Sequence, residues 1–197
     1  MQPGRGWGHG HRLQACRCLT GDILHRPPYE VLFLCTGNSA RSILAERLLE
    51  HHGAGRFHGH SAGSFPRGSV HPLALALLTE AGLPTATLRS KPWDEFVAPD
   101  APALDFVFTV CGQAAGEACP AWPGQPITAH WGLPDPAAEL GTDAQRMLAF
   151  RAAFQALERR IRLFTALPME GLDRMALTRR VQEIGRVRPD TAEGIAS

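Results

Sequence analysis

The sequence predicts an α/β fold: a single domain with a four-stranded parallel sheet, helices on both faces and an extra C-terminal helix. Three observations carry this. Short apolar runs of strand length alternate with segments whose apolar residues recur at helical spacing. The first of those runs, Val31-Leu32-Phe33-Leu34, is apolar throughout, as strands covered on both faces are. Cysteines follow two of the runs, at Cys35 and Cys111, where such sheets open their ligand crevice.

Residues 1–28 stand apart from the rest. They are rich in Gly, Arg and His, end in Pro27-Pro28 and show no strand or helix period. They read as a disordered extension, or as a translation start placed too early. Cys16 and Cys18, with His9 and His11, lie in this tail and are assigned no role. A catalytic domain is expected over 29–167. Its first strand, Glu30–Leu34, is stopped by Gly37, and a helix from Ser42 to about His52 follows, with Gly53 as its stop. Arg56–Ser61 reads as the second strand, leading into an Ala62-Gly63 turn. Pro72–Ala81 reads as a helix with Gly82 at the position after its cap. Phe106–Val110 and a short run around Ile127–Trp131 supply the remaining strands.

Thr142 opens the longest helix. Its hydroxyl caps the first turn, and Gln145 three residues on completes a capping box. Met147, Phe150, Phe154, Leu157, Ile161 and Phe164 then form one apolar stripe, with Pro168 after the end. Residues 168–197 read as a C-terminal helical extension with a loose tail. Its helix is expected from Glu170 to about Ile184, with Leu172, Met175, Leu177, Val181 and Ile184 as its apolar positions.

Composition narrows the function classes. At 197 residues, 44% hydrophobic and 20% charged, the chain has the make-up of a soluble globular protein with a sizeable core. A net charge of +1 argues against a nucleic-acid binder. No apolar run approaches the roughly 18 residues that cross a bilayer, and the N-terminus lacks a signal-peptide core, so a cytoplasmic location away from membranes is expected. There the five cysteines read as free, catalytic or redox-active thiols. His51, His52, His58 and His60 cluster in sequence without a zinc spacing, so no metal or other cofactor is assigned.

The chemistry concentrates in Cys35-Thr36-Gly37-Asn38-Ser39-Ala40-Arg41-Ser42. Between a strand and a helix, such a loop wraps its backbone N–H groups around a tetrahedral oxyanion. Arg41 adds a planar, permanently charged fork. The same field is expected to favour the thiolate of Cys35, with the Ser42 hydroxyl lowering its basicity further. Asp135, on the Pro-flanked Leu133-Pro134-Asp135-Pro136, is placed to protonate a leaving oxygen or to shuttle protons to a thiol. Cys111 and Cys119, beside that nucleophile, form a pair able to pass a disulfide outward to a partner.

Together with His60-Ser61-Ala62-Gly63 and His130-Trp131-Gly132, these motifs resemble the low-molecular-weight protein tyrosine phosphatase superfamily, and more closely its thiol-dependent arsenate reductases, over about Tyr29–Leu167. The resemblance implies that Cys35 attacks arsenate while Arg41 and the amides of the phosphate-binding loop, Thr36 to Arg41, hold the oxyanion. Asp135 would transfer protons, and Asn38 and Ser61 would brace the loop. Cys111 would attack Cys35 and release arsenite. Cys119 would then take over the disulfide for reduction by thioredoxin, or by glutathione with glutaredoxin. Family members often carry a cysteine where Ala40 stands. Some relatives hold potassium near Asn38 and Ser61, and Lys91 is expected to replace it. The final helix would cover the sheet edge or pair two copies.

Two other readings remain open. A phosphotyrosine or small phosphate-ester phosphatase would use the same loop and Asp135. Against it, Ala137 and Ala138 follow the Asp-Pro where phosphatases carry tyrosines, and the only tyrosine is Tyr29. An oxyanion- or redox-sensing binding protein would keep the pocket without turnover.

Overall fold

The computed structural model describes residues 27–116 and 120–187, so the expectations for 1–26, Cys119 and the last ten residues lie outside it. Its elements are strand β1 (Tyr29–Cys35), helix α1 (Arg41–His52), β2 (Phe57–Gly63), α2 (Pro72–Glu80), β3 (Phe106–Thr109), the short α3 (Gly112–Gly116), β4 (Ile127–His130), α4 (Asp143–Thr165) and α5 (Arg174–Gly185). The strands form one parallel sheet in the order β2-β1-β3-β4. From β1 the chain goes first to one side and then to the other. The crevice this leaves lies at the carboxyl ends of β1 and β3, where Cys35 and Cys111 stand.

The two faces are covered unequally. On one, Val31, Phe33, Phe57, Phe106 and Phe108 pack against α1 and against the stripe of α4, of which Phe150, Leu157, Ile161 and Phe164 are fully buried. Trp131 stacks on Phe108 with ring centres 4.2 Å apart, and Phe164 meets Phe108 edge-on at 5.2 Å. The other face is thinner. Leu32, Leu34, Ala62, Leu104 and Val107 lie under Phe96, which a 3-10 turn at Trp93–Phe96 supplies. Nothing in the sequence period announced that turn, because four residues are too few to show one.

Several boundaries move for identifiable reasons. The capping box of Thr142 and Gln145 forms as expected. So does the end of α2, where Gly82 is left-handed (φ 70°), its N–H donates to Thr79, and that of Leu83 donates to Leu78. Gly53, by contrast, keeps helical angles, and the left-handed positions after α1 are Ala54 and Gly55. Ala62 and Gly63 are not a turn. They are the last residues of β2, paired with Leu34 and Cys35. A Cβ on Gly63 would stand 2.5 Å from the Thr36 carbonyl oxygen, so only glycine lets the strand end this close to the loop.

The last helix starts at Arg174 rather than Glu170. Asp173 accepts a hydrogen bond from the Ala176 N–H (2.7 Å) and sets the start, while Met169–Gly171 forms a separate 3-10 turn. Leu177, Val181 and Ile184 join the main core, whereas Met175 faces outward. Helix α5 lies on β4, and the Trp131 indole N–H donates to Val181 O (2.9 Å). A Cβ on Gly185 would stand 2.3 Å from His130 O and 2.8 Å from the Trp131 ring. The extension therefore completes the core. Gly185→Ala should lower unfolding stability by about 1–3 kcal/mol in denaturant titration, by forcing α5 off β4. An unchanged midpoint would contradict this seating.

Candidate active site

Between β1 and α1 the chain reverses around the Cys35 sulfur. The pivot is Asn38, which is fully buried and left-handed (φ 38°). The loop's carbonyls are held outward by neighbouring chain. Phe65 N–H donates to Thr36 O (2.9 Å), Arg67 N–H to Gly37 O (3.0 Å), His71 N–H to Ser39 O (2.9 Å) and Leu44 N–H to Ala40 O (2.9 Å). A trans peptide points its N–H opposite to its C=O. With those four carbonyls turned out, the N–H groups of Gly37, Asn38, Ala40 and Arg41 turn inward. The Asn38 N–H does so measurably, donating to the Cys35 sulfur at 3.1 Å. The result is a nest of donors at a helix N-terminus, suited to an oxyanion.

The sulfur itself is enclosed. Ser42 Oγ lies 3.0 Å from it. That oxygen accepts from Asn38 Nδ2 (3.0 Å), which leaves the hydroxyl proton to point at the sulfur. The expected pull of the loop on this sulfur meets an opposing influence. Burial pushes the Cys35 thiol above its ordinary range, and the nearby Cys111 adds to the rise. The side-chain and backbone hydrogen bonds of Ser42 and the charge of Arg41 pull it down, but by less. Burial and the donors around the sulfur thus act on it in opposite directions.

Arg41 and Asp135 meet across the mouth of the loop. The guanidinium donates through Nη1 to Leu133 O (2.8 Å) and pairs through Nη2 with Asp135 Oδ2 (3.2 Å). Asp135 also accepts the Ala137 N–H (3.2 Å) and caps a 3-10 turn at Pro136–Ala138. Arg41 thus grips the acid loop, a contact the sequence did not predict. A guanidinium has five N–H donors, and these bonds use two.

A second polar layer stands behind the loop. Asn38 Oδ1 accepts the Lys91 backbone N–H (2.7 Å), and Ser90 Oγ donates to Gly37 O (3.4 Å). The buried Lys91 ammonium lies 3.4 Å from Glu46 of α1, and the Ser61 hydroxyl donates to the same carboxylate oxygen. Ser61 therefore braces the loop indirectly, through Glu46 and Lys91. Sequence reasoning missed Glu46, though an acid between Leu44 and Leu48 on the buried side of α1 was its signal. It also missed His71, whose Nδ1 caps α2 by accepting the Leu73 N–H (3.1 Å). Burial, and then the charges of Arg146 and Arg67, lower its tendency to protonate, which keeps that nitrogen an acceptor.

Cys111 follows β3, buried and reduced like Cys35. Its sulfur lies 3.6 Å from Thr36 Oγ1 and accepts the Ala114 N–H (3.3 Å). Cys119 is outside the described residues. The histidine cluster divides in space: His52 meets Glu158 of α4, while His58 and His60 face Glu30 on the sheet.

Comparison with known proteins adds an independent line. A family model described as low molecular weight phosphotyrosine protein phosphatase matches residues 30–176. An arsenate reductase of Halalkalibacterium halodurans is 36% identical over 134 residues, 68% of this chain and 93% of that protein. A glutaredoxin arsenate reductase of Synechocystis is 33% identical over 132 residues, 67% of this chain and 92% of that protein. The solved thioredoxin-dependent arsenate reductase of Corynebacterium glutamicum superposes with a TM-score of 0.51 at 28% identity, over 70% of this chain and 60% of that one.

The raised thiol sets a pH test. A group whose folded-state pKa is raised gives the thiol form its stabilisation at low pH, and loses it as pH rises through the folded value. Thiolate absorbance in the ultraviolet, taken as wild type minus Cys35→Ser, should reach its midpoint above the usual thiol value of 9.0. Ser42→Ala should move that midpoint higher still. A midpoint well below 9.0 would show that the amide nest outweighs burial.

Proposed function

The chain belongs to the low molecular weight phosphotyrosine protein phosphatase family, and we propose that within it this protein is an arsenate reductase. The observation that carries the reading is the loop closed around the Cys35 sulfur, with the Asn38 N–H donating to it and a second reduced thiol, Cys111, against the same loop. The relatives named arsenate reductase support the choice of substrate.

In this reading the loop amides and the remaining Arg41 donors hold three oxygens of hydrogen arsenate. Cys35 attacks arsenic. Its proton joins the departing hydroxyl, directly or by way of Asp135, and water leaves a sulfur–arsenic bond. The Cys111 thiolate then attacks the Cys35 sulfur. A disulfide forms, and the electron pair of the sulfur–arsenic bond stays on arsenic, which leaves as arsenite. Cys119 attacks Cys111 in turn, frees Cys35, and presents the disulfide to a dithiol carrier of the thioredoxin or glutaredoxin type. Domain 29–167 carries these groups, and α5 supports them from β4.

The decisive experiment separates the two thiols. Cys111→Ser should reduce arsenite production at least 100-fold while retaining slow aryl-phosphate hydrolysis, and Cys35→Ser should abolish both, about the loss expected for removing a nucleophile. Normal arsenite output from Cys111→Ser, with thioredoxin and glutaredoxin each supplied, would falsify the relay. Rapid aryl-phosphate turnover with arsenate ignored would instead favour the phosphatase reading.

A second prediction concerns the layer behind the loop. The Lys91 ammonium occupies that layer opposite Glu46, so turnover should be the same in potassium and sodium buffers of equal ionic strength. Lys91→Ala leaves Glu46 buried without its cation and should cost about 3–5 kcal/mol of stability, read by denaturant unfolding.

A further inference from the structure

We propose that Glu30, His58 and His60 form a binding site for a divalent transition-metal ion, with zinc the best match. Each residue offers one ligand atom, and these atoms all lie within 4.8 Å of one another. The sheet explains why. Alternate residues of a strand share a face, so His58 and His60 project from the same side of β2. The parallel register places Glu30 of β1 directly beside His58, with Leu32 beside His60. The spacing of histidines alone showed no ligand pattern because the third donor comes from a neighbouring strand.

An ion among the three would replace the direct His60–Glu30 hydrogen bond, with that pair opening by about 1 Å. Glu30 Oε2 lies 2.5 Å from His60 Nε2, and Glu30 Oε1 lies 3.7 Å from His58 Nδ1. Ligands about 2.1 Å from a tetrahedral zinc stand roughly 3.4 Å apart, between those two separations. His58, 57% exposed, has room to adjust. The outer nitrogen of His58 already faces a carboxylate: Nε2 is 3.6 Å from Glu50 Oε1, which the Gly59 N–H holds at 2.8 Å. A carboxylate behind a ligating imidazole fixes its tautomer and raises its basicity. The His60 ring is set by Phe96, with centres 5.3 Å apart.

Two imidazoles and one carboxylate select zinc, copper, nickel or cobalt over magnesium and calcium, and three protein ligands leave a position for water. Glu30 precedes Cys35 by five residues along β1, about 16 Å at 3.3 Å per residue, so the site is separate from the oxyanion loop. A bound ion would clamp β1 to the edge strand β2.

Chelator-treated full-length protein titrated with Zn²⁺ by calorimetry tests this. Wild type should bind one equivalent more than His60→Ala, His58→Ala or Glu30→Gln, and a Cys35→Ser/Cys111→Ser double variant should keep that equivalent. Titrated with Co²⁺, the same equivalent should appear without a thiolate-to-cobalt charge-transfer band. Zinc should also raise the wild-type Tm by several degrees more than it raises that of His58→Gln, a change at an exposed position that leaves the fold intact. The proposal is overturned if wild type binds no such equivalent, if the histidine variants bind as much as wild type, or if the equivalent disappears with the two cysteines.

Discussion

The left-handed turn at Asn38 is what the rest of the site depends on. Reversing the chain between β1 and α1 around one sulfur requires a residue at positive φ, which costs an ordinary side chain roughly 1–2 kcal/mol and asparagine less. Glycine would adopt the angle freely. It would also delete the bonds that fix the loop, because Asn38 Nδ2 orients the Ser42 hydroxyl and Asn38 Oδ1 holds the Lys91 backbone. The same side chain thus sets the sulfur's donor in front and ties the loop to the segment behind it. Phe65, Arg67 and His71 complete the frame by donating backbone N–H groups to the loop carbonyls, and Gly63 lets β2 end close enough to the loop for this.

Charge is arranged in two layers around that turn. In front, Arg41 and Asp135 pair at the mouth, partly in solvent; behind, Lys91 and Glu46 pair in the interior. Around the sulfur two influences oppose each other: enclosure raises the Cys35 thiol, while the Ser42 hydrogen bonds and the Arg41 charge lower it. The loop amides, and the Arg41 donors not used on the acid loop, are the groups placed to meet an incoming oxyanion.

Much of this was legible in the sequence, for physical reasons. The α4 stripe and its Thr142–Gln145 box span many turns, and long periods average out local noise. The loop from Cys35 to Ser42 was legible because so few residue types make a donor nest after a buried strand. What escaped was set by contacts remote in sequence. Gly63 looked like a turn residue, although its lack of a Cβ serves the Thr36 carbonyl across the sheet. Ser61 was recognised as a brace, but the intervening Glu46 was not, because an acid on an apolar helix face is explained only by its remote partners, Ser61 and Lys91, the latter forty-five residues away. The burial that raises the Cys35 thiol comes from enclosure by remote segments, which no local spacing encodes.

The acid loop joins these themes to the C-terminal extension. Its backbone is suspended between two arginines. Leu133 O accepts from Arg41, while Trp131 O (2.6 Å) and Gly132 O (3.4 Å) accept from Arg160 of α4. Arg160 is buried, and desolvation lowers its hold on a proton. Its other terminal nitrogen reaches Val187 O (3.1 Å), just past α5. Burying a guanidinium is tolerable only when carbonyls replace the lost water. The carbonyl from Val187 therefore helps to hold Arg160 in place. Arg160 in turn fixes the residues that present Asp135 to Arg41. Through this chain of contacts, residues beyond the expected catalytic domain take part in positioning its acid, and α5 is better regarded as a structural part of the site than as an appendage to it.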